Sequence, residues 1–190
     1  MSDARERVLD VAEKLFMDRG YADVSMRDIA RVLGIQQAAL YYHASNKEEL
    51  FVAVLERNMQ RQHIGLQKAI ASAPHDLSSQ LTAVARWLVE HMPIDMIRIL
   101  RSDSAHISPT YASQVLRQVS EAMMQPIIDI LQSDQNRDHV RPINPYLLSG
   151  MMIGVMNWVA YFDQQAELEM TTEEIIEDVI KVLMHGLHIA

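Results

Sequence analysis

The sequence predicts an all-α fold in two parts: a small three-helix domain over residues 1–47 and a larger helical domain over 48–190. Three observations predict it. Apolar residues recur three and four apart from Val8 onward, the spacing of one helix face. Helix starts are marked by capping boxes at Ser25–Asp28, Asn46–Glu49 and Thr171–Glu174, and by prolines at the first helical position. No segment joins period-two alternation to hairpin turns, as strands would require.

The first helix places Val8, Val11, Ala12, Leu15 and Phe16 on one stripe, with Ser2 as its cap and Gly20 as its stop. Ser25 opens a short helix that turns Ile29, Ala30 and Leu33 inward and ends at Gly34, the residue that most readily adopts a left-handed stop. Another short helix is expected over 36–43. Asn46 then starts a long one through Leu50, Phe51, Val54, Leu55 and Met59 to about residue 70. Beyond Ala73-Pro74 the starts fall at Asp76, Ser108-Pro109, Asn144-Pro145 and Thr171. Pro126 lies inside a continuous pattern over 111–131, where its missing N–H predicts a kink or break.

Composition narrows the function. A net charge of -8 excludes binding of nucleic acid through bulk positive charge, though not through a local site. With no Cys, disulfides, thiolate zinc sites and cysteine nucleophiles are excluded, in keeping with a reducing compartment. The N-terminus is charged from its third residue and lacks a signal sequence's apolar core, so a cytoplasmic location is expected. The apolar stretch 146–162, interrupted by Ser149 and Asn157, suits a buried helix, and no membrane association is expected.

The two short helices around Gly34 carry the functional signal. Ile29, Leu33, Ile35 and Leu40 are expected to form one small core, with Ala30 letting the helices cross closely, which is the logic of a helix-turn-helix. A hairpin evolved for packing alone would show the same spacing. What favours a reading head is that the second helix offers Gln36, Gln37, Ala39, Tyr41, Tyr42 and His43, where a surface hairpin would carry Glu and Lys. Gln can pair with adenine through a donor and an acceptor, and Ala can touch a thymine methyl. Lys47, in the first turn of the next helix, is placed to hold a phosphate with the free backbone N–H groups.

Residues 5–57 resemble the DNA-binding domain of TetR-family transcriptional regulators. The matching residues are Val8, Ala12, Leu15-Phe16, Gly20-Tyr21, Ser25, Asp28-Ile29-Ala30, Gly34-Ile35, Leu40-Tyr41-Tyr42-His43, Asn46-Lys47 and Leu50, in order and without insertions. The resemblance implies phosphate contacts from Ser25, Arg27, Tyr42, His43 and Lys47, and base or adjoining backbone contacts from Gln36, Gln37, Ala39 and Tyr41. Two positions depart from the family. Ala44 stands where a bulky apolar residue is usual, and Gln36 where a small capping residue is frequent, which predicts an uncapped helix start.

The same resemblance implies that the larger domain binds a small effector and forms a homodimer through the last two helices, here about 145–165 and 172–188. Gly150 and Gly154, four apart, permit close helix approach, within the subunit or across a dimer. Nine of the 13 Met lie beyond Pro74, which suits either core filling or an adaptable, largely apolar pocket. The expected lining is Trp87, His91, Met92, Met96, Ile99, His106, Tyr111, Met123, Met152 and Trp158, with His91, His106 and Tyr111 as polar contacts.

Other signals fail on chemistry. Asp134, Asn136 and Asp138 open like a calcium loop, but His139 and Pro145 replace its glycine and its bidentate Glu. His185 and His188 share a helix face without a third metal ligand. No nucleophile elbow, zinc-protease motif or phosphate-binding glycine loop is present, so neither an enzyme nor a cofactor is expected. The expected function is a dimeric, ligand-responsive DNA-binding regulator, a repressor released from its operator by the effector. The competing reading is a helical small-molecule-binding or scaffold protein with a vestigial DNA-binding head. The charge is unevenly divided: residues 1–47 hold seven basic and seven acidic side chains, and the whole excess of acid lies in 48–190.

Overall fold

The computed structural model describes residues 2–91, 107–133, 141–163 and 170–187. Every regular element among them is helical: α1 (Ser2–Arg19), α2 (Met26–Leu33), α3 (Gln37–Leu40), α4 (Lys47–Ser72), α5 (Leu77–His91), α6 (Pro109–Val119), a π-turn (Ser120–Met124), α7 (Gln125–Gln132), α8 (Pro145–Asp163) and α9 (Thr172–Leu187). The chain divides into two compact units. One comprises Met1–Met59 with Asp95–Gln118, the other Gln60–Ile94 with Val119–Ala190. Helix α4 thus contributes to both.

In the first unit α1 packs on α2, and α2 on α3. The core is built on Phe16, Tyr21 and Phe51, with Phe16 edge-on to Phe51 at 5.1 Å between ring centroids and Tyr21 at 4.8 Å from Phe51. Ile29, Leu40 and Val54 are fully enclosed beside them, and Ala44 is buried too. One polar clasp ties α1 to α4. Arg57 reaches Glu6, Asp10 and Glu13 at 2.9, 2.8 and 2.6 Å. Burial works against its charge, but hydrogen bonds to these carboxylates outweigh burial and hold the guanidinium above its ordinary pKa. Helix α6 joins this unit through Glu56, which accepts from Gln114 and Gln118, and through Glu48, which accepts from the Ser108 N–H.

In the second unit α5 contacts α7, α8 and α9. Its Leu81, Val84 and Leu88 meet a core completed by Ile127, Met152, Met156 and Ile180. Ser149, fully buried, donates its hydroxyl to the Pro145 carbonyl at 2.7 Å and so leaves no unsatisfied group. An ion pair between Arg86 and Glu173 links α5 to α9 and lowers the pKa of Glu173.

The break expected at Pro126 takes a specific form. Pro126 has no N–H to return to the Ala122 carbonyl four residues earlier, and the preceding turn widens into a π-turn in which the Gln125 N–H reaches Ser120 O. His63 Nδ1 lies 3.3 Å from the Ala122 carbonyl and acts as donor there. The start signals at Asp76, Asn144 and Thr171 hold: Asp76 Oδ1 accepts from Ser79 N at 2.8 Å, Asn144 Oδ1 from Tyr146 N at 2.9 Å, and Thr171 and Glu174 exchange both capping-box bonds. The Asn46–Glu49 box is offset. Glu49 N donates to Asn46 Oδ1, but the Glu49 carboxylate accepts from Ser45 N rather than Asn46 N. The calcium-like turn at Asp134, Asn136 and Asp138 lies outside the described residues, as does His188.

Gly65, in mid-helix, carries a prediction of reversed sign. Alanine normally stabilises a helix interior over glycine by about 0.8–1.0 kcal/mol. Here a Cβ would sit 2.8 Å from Trp87 Cζ2 and 3.0 Å from Nε1. That indole is buried and stacked on His91 at 5.0 Å, so it must move. Gly65→Ala is expected to destabilise the protein by about 1–3 kcal/mol in denaturant titration and to shift tryptophan fluorescence. An increase in stability would contradict the packing described.

Candidate nucleic-acid interface

The reading head is set by three local devices. Ser25 caps α2, its hydroxyl accepting from Asp28 N at 3.2 Å while its own N–H donates to Asp28 Oδ2 at 3.1 Å. The Ser25 hydroxyl, which also donates to Asp28 Oδ2, and then the Ser25 N–H keep the Asp28 carboxyl below its usual pKa, and Arg31 pairs with it at 2.6 Å. Gly34 stops α2 at φ 70°, the left-handed region that a Cβ disfavours. Gln36 then starts α3 in an extended conformation without a side-chain cap, as its departure from the family pattern predicts.

Helix α3 is shorter than the 36–43 expected. Only Gln37–Leu40 is α-helical, and the chain continues as tightened turns in which Tyr42 N meets Ala39 O and His43 N meets Leu40 O, three residues back. The predicted four-residue core is also corrected. Ile29 and Leu40 are fully buried, but Leu33 is half-buried and Ile35 is exposed, because the left-handed turn at Gly34 swings the next side chain outward.

Around Leu40, the single buried residue of α3, the remaining positions face solvent. Gln36, Gln37, Ala39, Tyr41 and Tyr42 are all exposed, Tyr42 to 77%, and His43 is half-buried edge-on to Tyr42. Gln37 Nε2 donates to the Tyr41 hydroxyl at 3.2 Å. Arg27 is exposed on α2. Lys47 differs from expectation. Its ammonium donates to the Tyr21 carbonyl at 2.8 Å and lies 4.1 Å from that ring's centroid. Burial and Glu48 raise the pKa of the Tyr21 phenol. Sequence reasoning missed both Tyr21 as the partner of Lys47 and Arg57 as the clasp, for these pairs are separated by 26 to 51 residues.

The expected effector residues are not brought together. Met92, Met96, Ile99 and His106 lie outside the described residues. Met123 and Met152 are buried in the second unit, whereas Tyr111 belongs to the first. Trp158 is half-exposed on the side of α8 away from Met152, since six residues along a helix turn a side chain through about 600°, well off the first one's direction. Among the described residues, two open cavities are present in the second unit. One, of about 550 Å³, runs along Ser72, Pro74, Ser79, Thr82, Arg86 and Trp87; the other, of about 480 Å³, lies among Gln67, Ile70, His75, Pro126, Asp129 and Ile130. Trp87 alone of the expected lining borders either. The described residues contain no cluster of metal-ligating groups and no helix long and apolar enough to cross a membrane.

This head is matched by a known family. A model for "Bacterial regulatory proteins, tetR family" matches residues 8–54, which span α1 to the first turns of α4. By that domain, residues 8–54 are similar to the DNA-binding domain of TetR-family regulators. Among relatives, the transcriptional activator FasR of Mycolicibacterium smegmatis is 29% identical over 134 residues, 70% of this chain and 60% of FasR. The chain thus spans about three fifths of the length of that relative. The fold is shared with the superantigen PfiT, at a TM-score of 0.77 and 20% identity over 94% of this chain and 95% of PfiT. It is shared also with AibR, solved with isovaleryl coenzyme A and operator DNA, at 0.70 and 21% over 96% and 98%.

Proposed function

We propose that this protein is a homodimeric, sequence-specific DNA-binding regulator of the TetR family whose affinity for its operator is controlled by a small, largely apolar molecule held in the 48–190 domain. The observation that carries the reading is the exposed row Gln36, Gln37, Ala39, Tyr41 and Tyr42 around the buried Leu40, on a helix held by a capping box and a left-handed glycine turn. In the head, residues 1–47, the first four of the row read base edges or the adjoining backbone. Ser25, Arg27, Tyr42, His43 and Lys47 meet phosphates, with Lys47 also bracing the loop at Tyr21. The open cavity of about 550 Å³ bordered by Trp87 offers room for an effector in this domain, whose core carries the buried Met123 and Met152. AibR, solved with an acyl coenzyme A and operator DNA, has the same fold, which supports both arms of the reading.

The dimer is supported by α8. Leu147, Met151, Val155 and Trp158 lie along one face and are 38–56% exposed, while Leu148, Met152, Met156 and Val159 are buried on the other. A helix apolar on both faces calls for cover on both. An alanine at Gly154 would meet nothing within 4 Å, so the backbone is open to a second helix at that point. Repression is the proposed mode, because occupancy of an operator needs only DNA binding, whereas activation needs a further surface for the transcription machinery.

Gel-shift titration on the DNA flanking the protein's own gene, across a series of salt concentrations, tests the reading. The expected result is a sequence-preferring complex whose affinity falls linearly in log–log plots against salt. Affinity equal for all sequences, or none, would leave the head without the proposed function. Transcription in vitro from the bound promoter decides the sign of regulation.

A further inference from the structure

We propose that Gln37 and Tyr41 act as one adenine-reading unit, in which the Tyr41 hydroxyl is a positioning group that orients the Gln37 amide; the proposal rests on the reading of α3 as the helix that meets base edges. The two side chains are four apart, hence on the same face, and Gln37 Nε2 donates to the Tyr41 oxygen at 3.2 Å. Gln36, the neighbouring glutamine, has an extended backbone at φ −71° and ψ 143° and makes no capping bond. Of two adjacent glutamines on an exposed segment, Gln37 is the one held by a nearby side chain, that of Tyr41 at the end of α3.

The donor and acceptor inventory then selects the base. A glutamine amide has two N–H donors on nitrogen and a carbonyl oxygen with two lone pairs. One N–H is taken by Tyr41, which leaves one N–H and the oxygen side by side. Adenine presents the matching pair in the major groove, an acceptor at N7 and a donor at N6. Guanine presents two acceptors, N7 and O6, so the amide oxygen would face O6 with no hydrogen between them. Thymine offers only the O4 acceptor and a methyl group, and cytosine only the N4 donor, so each satisfies half of the pair. An amide free to rotate could swap its ends and accept several bases. Held by Tyr41, it is restricted to adenine.

The test is selection of duplexes from a random library with the full chain, followed by titration with the enriched duplex and its single-base variants. At one position of each half-site adenine is expected to dominate, and changing it to guanine is expected to lower wild-type affinity by about 5- to 150-fold. Gln37→Ala is expected to bring that ratio close to one, and Gln36→Ala to leave it intact. Tyr41→Phe, which removes only the exposed hydroxyl, is expected to shrink the ratio by about 2- to 10-fold, the worth of one hydrogen bond. In the double variant Tyr41→Phe should add nothing to the loss of preference caused by Gln37→Ala. The unit is overturned if Tyr41→Phe lowers affinity for every duplex by one common factor, or if Gln36→Ala rather than Gln37→Ala levels the adenine position. Failure of the wild-type chain to enrich any sequence is a different result, which removes the DNA-reading function itself and the pairing with it.

Discussion

Leu40→Ala is expected to abolish operator binding and to cost about 2–5 kcal/mol of stability in the first unit. Helix α3 has only four residues and no side-chain cap, and so short a helix has no stability of its own. What holds it is Leu40, fully enclosed and the single buried side chain of the helix. Removing that anchor leaves a cavity where α3 packs on α2 and frees the segment that carries Gln37 and Tyr41. Hydrogen exchange should rise over residues 26–50 while α5 and α8 keep their protection, and DNA titration should show loss of the sequence-preferring complex. Wild-type binding in Leu40→Ala would mean that α3 is held by something other than its buried face.

The paired substitution Met151→Glu with Val155→Glu is expected to produce a folded monomer whose operator affinity is lower by about 10²- to 10⁴-fold. Both side chains lie on the exposed face of α8, at 50% and 38% exposure, so the subunit's own core does not depend on them. Two carboxylates there would have to be desolvated in the centre of the proposed interface, which an unpaired charge opposes strongly. With the partner lost, the second head no longer binds intramolecularly, and the affinity falls to that of one half-site. Analytical ultracentrifugation reads the mass, circular dichroism the fold, and gel shift the affinity. A dimer surviving both changes would place the subunit contact elsewhere.

The helix starts were legible because their determinants lie within three or four residues of one another: Ser25 with Asp28, Asp76 with Ser79, Thr171 with Glu174. Gly34 was legible for the same reason, since a left-handed stop is a property of one residue. The reading head inherited this clarity, and the exposure of Gln36, Gln37, Ala39, Tyr41 and Tyr42 follows from spacing around a single buried leucine. Spacing misled at the turn itself, where the left-handed Gly34 leaves Ile35 exposed and α3 ends three residues early. The contact of Lys47 with Tyr21, 26 residues away, could not be read from spacing.

The candidate effector residues show the limit most plainly. Methionine count marked the second domain as adaptable, but it placed Met152 and Trp158 in one pocket although they stand on different sides of α8. Sequence by itself determined the all-helical class, most of the helix caps, and the helix-turn-helix with its similarity to TetR-family DNA-binding domains, each written in short-range periodicity. Tertiary structure alone decided that Pro126 is absorbed by a π-turn beside His63, that Arg57 gathers three carboxylates of α1, and that Leu147, Met151 and Val155 of α8 stand partly exposed. The physical reason is that local hydrogen bonds and backbone sterics act within a turn or two of chain. Burial, by contrast, is set by what packs against a residue from far along the sequence.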